Sequence, residues 1–191
     1  MKKDIILCGV GGQGILSIAT VIAAAAVREG LSLKQAEVHG MSQRGGDVES
    51  DLRLSDSEVW SDLVPDGGAD LIISMEPMEA LRHLPRLSRE GAVVTASAPF
   101  VNIPDYPDEV ALNAELDALP AVVRIDIDSL AREAGNPRGA NMVLLGAAAS
   151  RIGIVSPESL RSAVREVFLP KGEEVAEANV KAFDEGLNHK L

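Results

Sequence analysis

A short, continuously apolar run near the N-terminus leads through a glycine-rich turn into a long apolar segment. The run is Asp4–Val10, the turn is Gly11–Gly14, and the long segment is Ile15–Val27, in which 11 of 13 residues are apolar. An uninterrupted apolar run of this length is typical of a central parallel strand that is covered on both faces. The long segment predicts a buried helix that stops at Gly30, where glycine suits a helix C-terminus. These residues therefore predict a strand, a tight turn and a helix in succession.

Strand and helix patterns alternate through most of the remaining chain. Strands are predicted at residues 32–39, 47–54, 69–75, 91–98 and 122–127. Helices are predicted at 77–87, at 128–133 with Asp128 as N-cap, at 140–151, at 157–168 after the N-cap Ser156, and at 172–186. Residues 47–54 alternate in polarity, so that strand should have one face in water, and the proline-rich residues 99–107 should form a loop. The pattern predicts an α/β fold, Rossmann-like, with a mainly parallel sheet and helices on both faces, and a single domain over residues 1–191.

The composition argues against several classes of function. The net charge is −11 and only five aromatic side chains are present, whereas nucleic-acid binders carry excess basic charge and stacking aromatics. We therefore expect no nucleic-acid partner. We also expect no membrane partner, because the longest apolar segment is shorter than the roughly 20 residues of a membrane span. The one cysteine, Cys8, forms no internal disulfide and cannot hold an iron–sulfur cluster or another metal alone. No signal peptide is indicated, and the expected compartment is the cytoplasm.

The first glycine motif satisfies the dinucleotide-binding pattern G-x-G-x-x-G in its proper context, between a strand and a helix. Its candidate binding residues are Gly9, Gly11, Gly12, Gln13 and Gly14. Glycines allow positive φ and let a phosphate approach the N–H groups at a helix N-terminus. Glu37, at the end of the second predicted strand, is placed like the acid that binds a ribose hydroxyl in NAD enzymes. The alternative is that the glycines only allow close packing of strand and helix.

A second glycine loop follows the second predicted strand. Its candidate binding residues are Ser42, Gln43, Arg44, Gly45 and Gly46. Arginine is a planar, permanently charged donor suited to a phosphate or carboxylate. The alternative is a hairpin turn with a solvated arginine. Because both loops follow strand C-termini, where open α/β sheets bind ligands, we expect them to converge on one site. The second loop would then compete for the crevice that NAD needs at the first glycine motif.

The sequence resembles the gamma-type subunits of the 2-oxoacid:ferredoxin oxidoreductases, and most closely the indolepyruvate-type members of that family. The resemblance rests on two specific motifs, GVGGQG at residues 9–14 and EVHGMSQRGG at residues 37–46. Further matching segments are EALRHLP at 79–85, NMVLLGA at 141–147, and Asn179, Ala182, Phe183 and Gly186 near the end. The resemblance therefore covers essentially the whole chain.

This resemblance implies a complex that oxidatively decarboxylates an aryl 2-oxoacid such as indolepyruvate, forms an acyl-CoA and reduces ferredoxin. The family uses thiamine diphosphate and iron–sulfur clusters, and this chain has neither a Gly-Asp-Gly thiamine signature nor enough cysteines for a cluster. We expect those cofactors in a larger catalytic partner subunit, with this chain lining the cleft and helping to bind coenzyme A or the oxoacid. Two alternatives remain open, a stand-alone dinucleotide-binding oxidoreductase and a purely structural assembly subunit.

A few other polar residues invite functional interpretations. His39 could act as a general acid or base, although a lone histidine at a strand end is more often structural. His83 is expected at the surface or at an interface, and Cys8 as a small buried hydrophobe. The amides of Asn141 and Asn179 are expected to satisfy backbone groups.

Overall fold

The computed structural model describes residues 1–39 and 45–189, and a six-stranded sheet forms its centre. The strands are β1 Lys2–Val10, β2 Ser32–His39, β3 Asp47–Ser55, β4 Ala69–Ser74, β5 Leu87–Ala96 and β6 Val122–Ile125. Their order across the sheet is β2-β3-β1-β4-β5-β6. β3 runs antiparallel to both of its neighbours, and the other pairs are parallel. Five strands therefore point the same way, as the prediction of a mainly parallel sheet requires.

Helices cover both faces of the sheet. They are α1 Ile15–Arg28, α2 Pro77–Arg82, α3 Glu109–Asp117, α4 Ile127–Glu133, α5 Ala140–Ile152, α6 Pro157–Phe168 and α7 Glu173–Asn188. On β1, Ile5 and Leu7 pack into the larger core with α1 and α4 to α7, while Ile6 and Cys8 face α2. α3 adds a small cluster beside α2. No helix in the described part of the chain is long and apolar enough to cross a membrane.

Most predicted elements are confirmed, and the exceptions have local causes. The helix predicted at 77–87 stops at Arg82 and is followed by a 3₁₀ turn at Leu84–Arg86, because Pro85 has no N–H to continue the α-helical hydrogen bonds; β5 already begins at Leu87. The predicted N-cap Asp128 is wrong. Asp126 caps α4 instead, accepting a hydrogen bond from the Ser129 N–H at 3.0 Å, because the helix begins at the buried Ile127. α3 was not predicted.

The polar face of β3 is largely covered, which corrects the expectation of a wet face. Asp47, Glu49, Asp51 and Arg53, here called the β3 polar row, face the same side of the sheet as Ile6 and Cys8. Only Asp47 of the row is exposed. Arg53 pairs with buried Asp4 at 3.0 Å, and Arg86 pairs with both Glu49 and Asp51. Ion pairs with the neighbouring strand β1 and with Arg86 therefore allow a polar strand face to be covered.

Candidate functional site

The two glycine loops meet at the carboxyl edge of the sheet, where β1 and β2 end. The N–H of Gly11 donates to the Gly46 carbonyl at 2.8 Å, and the N–H of Gly45 donates to the Gly11 carbonyl at 3.3 Å. Gly45 has a φ of +78°, a conformation that favours glycine. The expected juxtaposition of the loops is therefore present in their described residues.

The turn of the first loop is held by side chains as well as by its glycines. The Gln13 amide accepts from the Val10 N–H at 2.7 Å and donates to the Met75 carbonyl at 3.2 Å. Gly14 has a φ of +86°, and a Cβ there would lie 2.5 Å from the Asn141 amide nitrogen. Asn141 donates to the Gly14 carbonyl at 3.2 Å, the structural role expected for it. Gln13 thus fixes the shape of the loop, and its contact with a ligand stays a prediction.

The internal hydrogen bonds of the loop narrow the set of N–H groups that can bind an anion. Gly11 and Gln13 donate to carbonyls of Gly46 and Val10. Within the described residues, the N–H groups of Gly12 and Gly14 have no backbone acceptor. α1 starts directly afterwards with Gly14 at its N-cap and no side-chain cap, so its first N–H groups also lie at this edge. These groups are the donors that a phosphate or carboxylate would meet.

A loop between β5 and α3 reaches over to the glycine loops. This loop, residues 97–108, is called the strap, and it contains the predicted loop 99–107. The Asn102 side chain donates to the Gly45 carbonyl at 3.0 Å. The Phe100 N–H donates to the Glu76 carboxylate at 3.2 Å, and the Tyr106 hydroxyl donates to the same carboxylate oxygen. The strap is therefore anchored at both the second glycine loop and the end of β4.

Glu76 is the buried centre of this arrangement. It is fully inaccessible, follows β4 by two residues, and caps α2 by accepting the Glu79 N–H at 2.8 Å. Its carboxylate therefore receives three donors from two segments. Burial and the hydrogen bond to Glu76 raise the pKa of the Tyr106 hydroxyl well above its ordinary value. Tyr106 consequently remains a neutral donor at physiological pH.

A second polar group lies beside Glu76, between α2 and the start of β3. One ligand-type atom from each of Asp47, Glu79 and His83 lies within 4.8 Å of the others. Burial and the Asp47 carboxylate raise the pKa of Glu79 to about 7. Burial lowers the pKa of His83, whose side chain is 9% exposed, so the expectation of a surface or interface position is wrong. His83 is covered because the polar row of β3 packs over it.

Several residues proposed from the sequence lie outside the described residues. These residues are Ser42, Gln43 and Arg44, together with the side chain of His39. The binding role of the first three and the catalytic role of His39 stay predictions. Glu37 is described and exposed, but β3 separates β2 from β1. Its strand is therefore two strand spacings, about 10 Å, from the first glycine loop. Glu37 therefore does not lie beside the first glycine motif, where an acid that binds the ribose of NAD is needed.

Glu76, Glu79, His83, Asn102 and Tyr106 were not proposed as site residues from the sequence. A partial signal existed in the acidic residues around Pro77, since Glu76 precedes a proline at the first helical position and is placed to cap a helix. The strap residues carry no local signal, because their partners are distant in sequence. Asn179 donates to the Val175 carbonyl at 2.8 Å, so its expected structural role is confirmed.

Comparison with known proteins connects this geometry to one family. The family model "Pyruvate ferredoxin/flavodoxin oxidoreductase" matches residues 4–189. The indolepyruvate oxidoreductase subunit IorB of Methanothermobacter thermautotrophicus is 37% identical over 97% of this chain and 96% of its own length.

Two solved structures share the fold. The keto/oxoacid ferredoxin oxidoreductase gamma subunit of Geobacter sulfurreducens is 25% identical with a TM-score of 0.71, over 97% of this chain and 96% of that one. The 2-oxoglutarate:ferredoxin oxidoreductase of Magnetococcus marinus, solved with 2-oxoglutarate, coenzyme A and succinyl-CoA bound, gives the same identity and TM-score over 97% of this chain and 30% of that longer chain. The match of the family model over nearly the whole chain, together with these similarities, shows that the chain belongs to the pyruvate ferredoxin/flavodoxin oxidoreductase family.

Proposed function

We propose that this chain is the small subunit of a 2-oxoacid:ferredoxin oxidoreductase that acts on aryl 2-oxoacids such as indolepyruvate. The complex would oxidatively decarboxylate the oxoacid, transfer the acyl group to coenzyme A and reduce ferredoxin. Similarity to an indolepyruvate oxidoreductase subunit over nearly the whole of both chains supports the substrate class. The observation that carries the proposal is the hydrogen-bonded pairing of Gly11 with Gly45 and Gly46 at the carboxyl edge of the sheet.

The redox and decarboxylation cofactors do not fit this chain. Cys8, on β1, is its one cysteine and is fully buried against α2, so it cannot ligate a cluster that normally takes four cysteines. The chain also has no thiamine signature. We therefore assign thiamine diphosphate and the iron–sulfur clusters to a larger catalytic partner subunit that also meets ferredoxin. We place the complex in the reducing cytoplasm, which suits the free thiol.

The contribution of this chain would be to bind and orient an anionic substrate at the cleft. The N–H groups of Gly12, Gly14 and the first turn of α1 offer a positive helix end to a phosphate of coenzyme A or to the oxoacid carboxylate. Arg44 directly precedes Gly45 in sequence and would add a charge-assisted hydrogen bond. The strap, fixed at Gly45 through Asn102, would close one side of the crevice.

Reconstitution tests the proposal. The chain is co-expressed with the partner encoded beside it, and reduction of a viologen dye is followed with indolepyruvate, coenzyme A and thiamine diphosphate. We expect activity only when both subunits are present. Sustained dye reduction by this chain alone, or full activity of the partner alone, would contradict the assignment.

A further inference from the structure

The group formed by Asp47, Glu79 and His83 has the composition of a transition-metal site. Two carboxylates and one imidazole are ligands shared by zinc, manganese and iron centres, with water completing the coordination. Glu79 and His83 are four residues apart on α2 and its C-cap, so they lie on the same side of that helix. Asp47 approaches them from the start of β3.

Two buried atoms in this group lack the partners that buried polar atoms require. Oε2 of Glu79 and Nε2 of His83 have no hydrogen-bond partner among the described residues. The Glu79 side chain is 3% exposed and that of His83 is 9% exposed, so bulk solvent does not surround these two atoms. Such atoms are costly to bury unless a bound ligand or an ordered water supplies the missing partner.

The local charge balance also favours a cation. Arg53 neutralises Asp4, and Arg86 is shared between Glu49 and Asp51. For Glu79, the nearest described cation is Arg82, whose Nε lies 3.4 Å from Oε1 and whose side chain is half exposed.

Access and spacing are compatible with an ion. The exposed Asp47 carboxylate gives solvent a route to the buried pair. The ligand atoms lie within 4.8 Å of one another, whereas metal–ligand bonds of about 2.1 Å hold ligand atoms roughly 3 to 4 Å apart. Small side-chain rotations within the group would close this difference.

We propose that Asp47, Glu79 and His83 bind one divalent transition-metal ion, which ties the start of β3 to α2. Since Asp47 directly follows Gly46, the bound ion would also restrain the end of the second glycine loop. This proposal does not depend on the redox function proposed above.

Zn²⁺ binding to the complete chain tests the site. The chain is stripped with a chelator and titrated with Zn²⁺ against a chromophoric competitor. We expect one ion per chain, with affinity lowered at least tenfold by Glu79→Gln and by His83→Gln. The matched exposed variants Glu90→Gln and His189→Gln should bind like the unmodified chain.

A third variant covers the case in which a buried substitution prevents folding. Asp47→Asn changes an exposed side chain and should leave the far-ultraviolet circular dichroism unchanged. Zn²⁺ should raise the unfolding temperature of the unmodified chain and do so much less in Asp47→Asn. Absence of stoichiometric binding, or equal affinity in Asp47→Asn and the unmodified chain, would overturn the proposal.

Discussion

At the scale of single residues, the buried carboxylate of Glu76 joins three parts of the carboxyl edge of the sheet. It follows β4, caps α2, and receives the Phe100 N–H and the Tyr106 hydroxyl from the strap. A carboxylate that is fully buried is tolerated because each of these donors replaces water. The position of the strap over the glycine loops therefore depends on one side chain.

Replacing Glu76 should destabilise the protein more than removing one of its donors. We expect Glu76→Ala to lower the free energy of unfolding by roughly 3–5 kcal/mol, because it leaves several buried donors unpaired. Tyr106→Phe removes a single donor and should cost about 1–2 kcal/mol. Urea denaturation followed by circular dichroism measures both. Equal effects of the two substitutions would show that Glu76 does not organise the strap.

The Cys8 thiol should be chemically inert in the folded chain. Cys8 is fully buried, and burial raises the pKa of its thiol well above the ordinary value, which suppresses the reactive thiolate. We expect no reaction with Ellman's reagent in native buffer and one thiol per chain in denaturant. The exposed control Ser97→Cys should react promptly in native buffer. Rapid reaction of native Cys8 would contradict its packed position against α2.

At the scale of elements, α5 and α7 approach each other more closely than side chains would allow. A Cβ at Gly146 would lie 2.0 Å from the Phe183 carbonyl oxygen, and one at Gly186 would lie 1.9 Å from the Val143 carbonyl oxygen. Both obstacles are backbone atoms, which cannot move aside without separating the helices. The two glycines thus set the distance between these helices.

Gly146→Ala should therefore be strongly destabilising. We expect a loss of roughly 3 kcal/mol or more, at or beyond the usual upper range for overpacking. In the control Gly30→Ala, the added Cβ meets no neighbouring atom within 4 Å. Its loss of stability should come only from the φ of +75° and be about 1–2 kcal/mol. Thermal and urea unfolding compare the two. A smaller loss at Gly146 than at Gly30 would mean that the helices can separate easily.

The Glu29 carboxylate at the end of α1 accepts hydrogen bonds from the start of α6, and the stability that these bonds add depends on pH. Glu29 accepts from the N–H and hydroxyl of Ser156, at 2.9 and 2.7 Å. Hydrogen bonds from Ser159 and Ser156 lower the pKa of Glu29 below its ordinary value of 4.5. A lowered folded-state pKa means that the stabilisation is complete above the unfolded-state pKa and is lost as pH falls through the folded-state value.

Glu29→Gln should consequently be less stable than the unmodified chain at pH 7, and the difference should shrink as pH falls below about 4.5. Unfolding midpoints in urea across pH 3 to 7 measure this difference. The exposed control Glu115→Gln should show no comparable trend. A difference that grows on acidification would reverse the assigned sign.

At the scale of the whole molecule, the site edge combines β1, β2 and the strap into a surface that a partner subunit can complete. Arg44→Ala in the reconstituted complex should raise KM for coenzyme A or for the oxoacid about tenfold or more, from loss of a charge-assisted bond of roughly 1.5–3 kcal/mol. Steady-state kinetics with each substrate varied in turn measure the change. The exposed control Arg89→Ala should leave both values unchanged. If Arg44→Ala also leaves both KM values and turnover unchanged, the second glycine loop serves only as a turn.

The amino-acid sequence by itself determined the alternation of strands and helices and the pairing of the two glycine loops at one edge. Ser32–His39 and Pro157–Phe168 match their predicted bounds because polarity period and the Ser156 cap are local signals. The glycine loops could be placed together because C-terminal ends of parallel strands share an edge. These inferences need only neighbouring residues and the geometry of a parallel sheet.

The tertiary structure decided which distant residues complete the site and which predicted neighbours stay apart. β3 inserts between β1 and β2 and removes Glu37 from the first glycine loop, a consequence of strand order that no local pattern contains. His83 is buried under the β3 polar row, and Tyr106 reaches Glu76 from 30 residues away. Such contacts pair charges and donors across the fold, so their partners become adjacent only when the sheet assembles.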